Sequence, residues 1–209
     1  MPATRQKPPS HAAAEWRAFA EASLASYDPE LLKGVAAVDL WFSDLLGQGQ
    51  HFSIPPRALT PRAVAHGIGY DGSSIRLSQA IHKSDMLVVP DLGAAFRDPV
   101  REHPTLAVPC WTVDPVTGAG NNRDPRVVAS RAEAALAASG IADAAYVGPE
   151  SEFFIFDRVS HRALPHESGF SIESDEAHWN HGNGDGRAIA PRRGYFPLPP
   201  MDRYQDLRT

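Results

Sequence analysis

The stretch GPESEFFIFD, residues 148–157, has the features of a β-strand that carries two acidic side chains. Phenylalanine and isoleucine dominate it, and Gly-Pro marks its start. Because side chains alternate along a strand, Glu150 and Glu152 share one face, with Cα atoms about 6–7 Å apart. Carboxylates this close repel each other, and a divalent cation is the simplest partner that stabilises the pair. Two solvated glutamates at a strand end are the alternative.

The remaining side chains of this stretch are apolar on both faces of the predicted strand. Phe154 and Phe156 share the face of the two glutamates, whereas Phe153 and Ile155 point the opposite way. Apolar residues on both faces are typical of a strand that is covered on both sides. Because burial strengthens the repulsion between carboxylates, a covered strand favours the cation-bound pair over the solvated one.

Composition places the chain among ordinary soluble globular proteins. It has 209 residues, of which 43% are hydrophobic and 22% charged, and its formal net charge is −5. The negative charge and the lack of a dense basic block give no reason to expect nucleic acid as a partner. We expect no membrane partner, because no apolar run is long enough to span a bilayer and residues 1–10 lack a signal core. A cytoplasmic location is therefore expected, and the single Cys110 excludes an intramolecular disulfide.

Periodicity and turn signals predict a mixture of helices and strands. One helix is expected over residues 12–25, and a second begins at Asp124-Pro125 and ends at Gly140, which act as its caps. The expected strands cover residues 36–42, 51–54, 85–90 and 105–113. The first two strands are joined as a hairpin. Residues 1–10 are expected to be disordered, and the chain beyond residue 157 to be mostly loop.

A second acidic pair comes from two segments that lie close together in the sequence. Asp71 begins the turn-like sequence DGSS, and Asp85 directly precedes an apolar strand. Two aspartates on neighbouring segments can bind a cation such as ammonium through charge and hydrogen bonds. Ser73 and Ser74 add hydroxyl groups that could hold a polar ligand. The alternative for Asp71 is an ordinary residue of an Asp-Gly turn.

Taken together and in order, these motifs resemble the N-terminal part of a glutamine synthetase of the bacterial dodecameric type. The matching segments are VDLWFSD (38–44), DGSSI (71–75) with SDM (84–86), NRDPR (122–126), GPESEFF (148–154) and GYFP (194–197). The similarity extends over roughly residues 35–208, which is nearly the whole chain. It implies an α+β fold, in which a β-grasp N-terminal domain precedes the first helix and strand of a catalytic domain.

The resemblance also implies a division of the chain into three parts. Residues 1–34 form an N-terminal tail and helix, residues 35–115 the β-grasp domain, and residues 123–209 a part of the catalytic domain. The stretch between the last two parts is rich in Gly, Asn and Pro, which is typical of a domain boundary.

Glutamine synthetases use ATP to join ammonia to the γ-carboxylate of glutamate, and they need two divalent cations, usually Mg²⁺ or Mn²⁺. The resemblance implies that Glu150 and Glu152 are metal ligands, one for each cation. It implies that Asp71 binds ammonium and takes its proton, while Asp85 helps to hold the ion. It assigns no ATP-binding residue within this chain. In the family the subunits form a homo-oligomer, a dodecamer, in which the β-grasp domain of one subunit closes the active site of its neighbour.

Two departures from the family's pattern leave other functions open. Bacterial relatives often carry an aromatic residue near Ser78, where this chain reads IRLSQAI (75–81). This departure keeps open a ligase that joins glutamate to an amine or polyamine. Family members continue beyond the position of Thr209 with further metal ligands and the ATP and glutamate sites, so we expect the 209-residue chain alone to be inactive. A non-catalytic β-grasp fragment that joins an oligomer is the third alternative.

Overall fold

The computed structural model describes residues 12–75, 84–177, 179, 188–189 and 192–208. The expectations for residues 1–10 and for Ser78 lie outside the described residues. The chain divides into two compact units, Met1–Tyr146 and Val147–Thr209. Helices and strands both occur in it, with mostly antiparallel pairing between strands, which confirms the predicted α+β class.

The first unit is built on one six-stranded sheet. Its helices are α1 (Ala12–Ala25), α2 (Pro61–His66) and α3 (Pro125–Ser139). Its strands are β1 (Ala37–Ser43), β2 (Gly49–Ile54), β3 (Ile68–Asp71), β4 (Asp85–Pro90), β5 (Phe96–Arg97) and β6 (Thr105–Val113). The strand order is β2-β1-β6-β4-β3, and β5 pairs with β6 outside this path. Strand β1 runs parallel to β6, whereas the pairs β1–β2, β3–β4, β4–β6 and β5–β6 are antiparallel.

The longer elements of this unit confirm the sequence predictions. Strands β1 and β2 form the expected hairpin, in which Val38 lies opposite Ile54. Strands β4 and β6 occupy the two predicted apolar runs. The sequence analysis missed β3 and β5, which contain 4 and 2 residues. Strands this short show too few alternations for a period to be recognised.

Alternating apolar side chains of the central strands form the main core of this unit. Val38 and Leu40 of β1 pack with Leu106 and Val108 of β6, and all four are buried. Each such side chain contributes roughly 1.5–3 kcal/mol when it is removed from water. Helix α1 covers a second, smaller cluster, where the ring of Phe19 stacks on that of Trp111 with centroids 4.5 Å apart. The core therefore joins the neighbouring strands β1, β6 and β4.

Helix α3 begins and ends at the residues that the sequence predicted. The Asp124 carboxylate accepts a hydrogen bond from the Arg126 backbone N–H at 2.9 Å, as an N-cap does. The same buried carboxylate accepts bonds from the backbone N–H and the hydroxyl of Thr112 on β6, at 2.7 and 2.9 Å. At the other end Gly140 is left-handed, with φ of 70°. Asp124 thus both starts the helix and ties it to the sheet.

The second unit contains a hairpin and a short helix. Strand β7 (Arg158–Leu164) pairs antiparallel with β8 (Glu167–Glu173), and α4 covers Gln205–Arg208. The expectation that the chain beyond residue 157 is mostly loop is therefore wrong for this hairpin. Nearly every side chain of both strands is exposed, so the sequence carries none of the apolar alternation that reveals a half-buried strand. Among the helices of the described residues, none has the length and apolar character needed to cross a membrane.

The stretch 148–157, predicted as a strand, has no strand conformation in the structure. A strand forms by pairing with a neighbour, and within the described residues no strand pairs with this stretch. Phe153 and Phe154 are exposed, so the predicted coverage of both faces is also not observed. The apolar composition of the stretch signals strand propensity, but propensity alone does not provide the partner that a strand requires.

Candidate functional site

Asp71 and Asp85 lie directly opposite each other across the antiparallel pair β3–β4. Residues opposite each other in such a pair project from the same face, with Cβ atoms about 4.5–5.5 Å apart. Both side chains are exposed at the end of their strands. Like charges in this relationship are destabilising, and a cation between them would relieve the repulsion. The structure therefore brings together the two aspartates that the sequence singled out.

The turn that follows β3 keeps Asp71 ionised. Its Oδ1 atom accepts hydrogen bonds from the Ser73 hydroxyl at 2.7 Å and from the Ser73 backbone N–H at 2.9 Å. The Ser74 hydroxyl donates to Oδ2 at 3.3 Å. These bonds, led by that from the Ser73 hydroxyl, lower the pKa of Asp71 below its ordinary value. The hydroxyl groups of both serines thus donate hydrogen bonds to the Asp71 carboxylate. The sequence had suggested that they could hold a polar ligand.

Gly72 allows the turn to approach β4 closely. Its backbone N–H donates to the Ser84 carbonyl at 2.7 Å. A Cβ atom at this position would lie 2.7 Å from Cγ of Met86 and 3.2 Å from the Ser84 carbonyl oxygen. The glycine is therefore required by space, and it fixes the distance between the turn that holds Asp71 and the strand that begins with Asp85.

Glu150 and Glu152 lie in the second unit, on the stretch that has no strand conformation. Both are exposed. Glu152 lines a cleft of about 690 Å³, whose walls include Phe154, Phe156 and Tyr204. The structure places the two glutamates on an exposed stretch without strand conformation, so the covered strand face that they were predicted to share is not observed.

Glu176 lines the same cleft as Glu152, and the sequence analysis did not single it out. Burial raises the pKa of Glu176 above its ordinary value, which is the effect expected of a carboxylate taken partly out of water. Glu176 follows β8 in a turn, and no motif or spacing marks it in the sequence. Glu176 therefore adds a second acidic side chain to the cleft that Glu152 lines.

The donor chemistry of Glu150 and Glu152 fits a hard divalent cation, because Mg²⁺ and Mn²⁺ prefer carboxylate oxygens. Within the described ranges, however, no group of three or more His, Cys, Asp or Glu side chains is arranged to hold a metal ion. Two carboxylates provide fewer oxygens than the six that Mg²⁺ typically takes. The glutamates are therefore suitable as part of a metal site and not as a complete one.

Cys110 is not a candidate nucleophile. It is fully buried on β6, and burial raises the pKa of its thiol far above the ordinary value. A thiol that is not ionised and not accessible to solvent is unreactive. Cys110 is therefore a part of the core.

Two models of known protein families match this chain, one after the other along the sequence. Residues 34–115 match the family model of the glutamine synthetase β-grasp domain. Residues 122–209 match the family model of the glutamine synthetase catalytic domain. Asp71 and Asp85 fall in the first match, and Glu150 and Glu152 fall in the second. The two models together cover most of the chain.

Individual relatives give the same result. The chain is 46% identical over 180 residues to a glutamine synthetase of Frankia alni and 46% identical over 178 residues to one of Aquifex aeolicus. These matches cover 84% and 85% of this chain, and each covers 38% of the relative. The chain thus spans well under half the length of the relatives it matches.

A solved structure supports the fold. The cryo-EM structure of Plasmodium falciparum glutamine synthetase superposes with a TM-score of 0.70, over 97% of this chain and 39% of that one. The sequence identity is 19%, so this likeness concerns the fold alone. The family itself is shown by the two family models and by the relatives, which confirm the resemblance seen in the sequence. This chain belongs to the glutamine synthetase family.

Proposed function

We propose that this chain is part of an ATP-dependent ligase that joins ammonia to the γ-carboxylate of glutamate. The observation that carries the proposal is the position of Asp71 directly opposite Asp85, with hydrogen bonds that hold Asp71 ionised. Two facing carboxylates suit a small cation with several N–H donors, and ammonium has that chemistry. Membership of the glutamine synthetase family supports the assignment of the reaction.

Asp71 and Asp85 bind ammonium by charge and by hydrogen bonds in this proposal. The Asp71 carboxylate then accepts a proton from ammonium, and the ammonia so formed attacks the carbon of the glutamate γ-carboxylate, which ATP has phosphorylated, so that phosphate leaves as the C–N bond forms. Ser73 orients the carboxylate through two hydrogen bonds to Oδ1, whereas Oδ2 accepts only the longer bond from Ser74 and has further lone-pair capacity for the ion. Asp85 supplies a second negative charge that holds the ion in place.

Glu150 and Glu152 are proposed as ligands of Mg²⁺ or Mn²⁺, one for each of two cations. Divalent cations, when bound, would neutralise negative charge on the phosphates of ATP. The exposure of both glutamates leaves their oxygens available for such binding. Because two carboxylates do not complete the coordination of two cations, other groups must provide the remaining ligands.

A homo-oligomer with active sites between subunits is proposed as the functional assembly. Asp71 and Asp85 belong to the first unit, whereas Glu150 and Glu152 belong to the second. In the family the β-grasp domain of one subunit closes the active site of its neighbour, which supports this assembly. Asp71 on one subunit would then deliver ammonia to a glutamate bound near Glu150 of a neighbouring one.

Steady-state assays of glutamine formation test the role of Asp71. The longest polypeptide that the gene encodes is assayed with glutamate, ATP and ammonium, and the 209-residue chain is assayed in parallel. Asp71→Asn should raise KM for ammonium at least about tenfold while KM for glutamate stays close to the wild-type value, because one charged contact to the ion is lost. Asp143→Asn, at an exposed aspartate outside the proposed site, is the matched control. Equal KM values for ammonium in Asp71→Asn and wild type would contradict the assignment.

An amine or polyamine acceptor is the second candidate, and one sequence feature favours it. The segment IRLSQAI lacks the aromatic residue that bacterial relatives often carry near Ser78. The same assay with methylamine or putrescine in place of ammonium distinguishes the two. A kcat/KM that is higher for an amine than for ammonium would assign the protein to this second class.

A further inference from the structure

The residues that directly follow the two facing aspartates contact each other. Gly72 follows Asp71, and Met86 follows Asp85. A Cβ atom built on Gly72 would lie 2.7 Å from Cγ of Met86 and 3.5 Å from its Cβ. The Met86 side chain therefore occupies the space in which any larger residue at position 72 would place its first side-chain carbon.

Met86 supports the paired strand ends from the buried side of the sheet. It is 2% exposed, and it lies directly opposite Tyr70 in the β3–β4 pair. Because side chains alternate along a strand, Met86 points away from the face that carries the Asp71 and Asp85 carboxylates. The carboxylates are thus open to solvent, whereas Met86 is packed on the other face of β4.

Three contacts hold the turn Gly72–Ser74 in its position. The backbone N–H of Gly72 donates to the Ser84 carbonyl at 2.7 Å. The partly buried Ile75, which follows the turn, packs against the main core. The Met86 side chain makes the third contact, directly against Gly72. A loss of any of these contacts would allow the turn to move relative to β4.

The position of this turn determines how well Asp71 is hydrogen-bonded. Ser73, the middle residue of the turn, donates its backbone N–H and its hydroxyl to Oδ1 of Asp71, at 2.9 and 2.7 Å. Hydrogen bonds weaken steeply as they lengthen or lose their alignment. A small shift of the turn would therefore weaken two bonds to the same carboxylate oxygen at once.

We propose that Met86 is a positioning residue, whose side chain holds the turn where Ser73 can bind the Asp71 carboxylate. Because this side chain lies on the opposite face from the carboxylates, it acts through the turn and not on the ion itself. The consequence for ammonium rests on the proposed function, whereas the consequence for the ionisation of Asp71 does not. The two consequences are therefore tested separately.

Carbon-13 NMR titration of Asp71 in the 209-residue chain tests the positioning role. Met86→Ala removes Cγ, the atom nearest to Gly72, so the bonds from Ser73 should weaken and the pKa of Asp71 should rise towards its ordinary value. Met86→Leu keeps a carbon at the γ position and a similar volume, so it should preserve the wild-type pKa. Val88→Ala, at a buried position two residues further along β4, is the matched control and should preserve it too. An unchanged Asp71 pKa in a folded Met86→Ala variant, or an equal rise in Val88→Ala, would overturn the proposal.

A second pair of variants keeps the test decisive where Met86→Ala alone fails to fold. Gly72 has no left-handed φ, so its backbone accepts alanine, and the main obstacle to Gly72→Ala is the contact with Met86. When Met86→Ala is added, the atoms closest to the new methyl group are the Ser84 carbonyl oxygen at 3.2 Å and Cβ at position 86 at 3.5 Å. The Asp71 pKa of the double variant should therefore be closer to wild type than that of Gly72→Ala. A double variant whose Asp71 pKa is no closer to wild type would also overturn the proposal.

Steady-state assays of the longest polypeptide that the gene encodes test the consequence for the reaction. Met86→Ala should raise KM for ammonium about three- to tenfold, because the hydrogen bonds that orient Asp71 are weakened, and should leave KM for glutamate close to the wild-type value. Met86→Leu and Val88→Ala should retain the wild-type KM for ammonium. If Asp71→Asn raises this KM and Met86→Ala does not, the catalytic part of the inference is wrong. If neither variant changes it, the proposed function is wrong, and the NMR titration alone decides whether Met86 positions Asp71.

Discussion

Glu15 on helix α1 and Arg131 on helix α3 form an ion pair through two parallel hydrogen bonds. Arg131 Nε donates to Glu15 Oε1 at 2.7 Å, and Nη2 donates to Oε2 at 2.9 Å. The residues are 116 positions apart in the sequence, so the pair joins the first and last helices of the unit. The hydrogen bonds from Arg131 are the main cause of a lowered pKa for Glu15.

This ion pair predicts a stability that depends on pH. Because the pKa of Glu15 is lower in the folded than in the unfolded protein, its contribution is present above the unfolded pKa and is lost as pH falls through the folded one. Both side chains are partly exposed, so Glu15→Gln should lower the free energy of unfolding by only about 0.5–1 kcal/mol near neutral pH. Urea denaturation over a series of pH values measures the difference, which should vanish in acid. Glu21→Gln, at an exposed position of the same helix, is the matched control variant.

Replacing Asp124 by alanine should destabilise the first unit strongly. The change leaves the buried N–H and hydroxyl of Thr112 without their acceptor and removes the cap of α3. These losses together should cost about 2–4 kcal/mol of unfolding free energy. Thermal or urea unfolding measures the effect. Asp28→Ala removes an exposed cap of a short turn, which accepts a bond from the Glu30 N–H, and it should cost clearly less. Equal costs for the two variants would refute the role given to Asp124.

A methyl group at Gly72 should be poorly tolerated. The added carbon would lie 2.7 Å from Cγ of Met86, so the turn or the strand must move. Overpacking of this kind typically costs about 1–3 kcal/mol. Gly69→Ala, two strand positions before Asp71, meets open space and should leave the unfolding midpoint nearly unchanged. A Gly72→Ala variant as stable as Gly69→Ala would show that the contact between the turn and β4 is loose.

The hydroxyl of Ser73 should control the ionisation of Asp71. Its hydrogen bond is the largest cause of the lowered Asp71 pKa, so Ser73→Ala should raise that pKa towards the ordinary value. Carbon-13 NMR titration of the aspartate carboxyl groups measures the shift directly. Ser74 donates over a longer distance, 3.3 Å, and Ser74→Ala should shift the pKa less. If Asp71 acts on ammonium, the acidic limb of kcat/KM for ammonium should move to higher pH in Ser73→Ala. A larger change of the Asp71 pKa in Ser74→Ala than in Ser73→Ala would contradict the conclusion that the Ser73 hydroxyl has the greater effect.

The sequence allowed the longer elements to be predicted because local signals specify them. Asp124 and Gly140 mark the ends of α3 through capping chemistry, which acts within one helical turn. The hairpin of β1 and β2 was predictable because apolar and polar side chains alternate along the strands and a turn sequence lies between them. The register that places Asp71 opposite Asp85 was not predictable, because it depends on how β3 docks beside β4.

The second unit shows where local signals fail. The exposed hairpin β7–β8 has no apolar period, and its pairing was therefore missed. Conversely, the stretch around Glu150 has high strand propensity but lacks a neighbouring strand within the described residues. The first unit also has a cavity of about 390 Å³ lined by Trp41, Arg101 and Arg126, which the sequence did not reveal because these residues are far apart in the chain.

The facing aspartates at the end of β3 have a thermodynamic consequence for the sheet itself. Asp71 and Asp85 come opposite each other only when β3 docks on β4, and like-charged residues in this relationship are unfavourable for strand pairing. Salt weakens the repulsion between exposed charges. A cation held between the aspartates would stabilise the folded edge by mass action, because the undocked strand offers no such pair. The opening of this edge should therefore depend on the cation concentration around the protein, with β3 fraying most readily where cations are scarce.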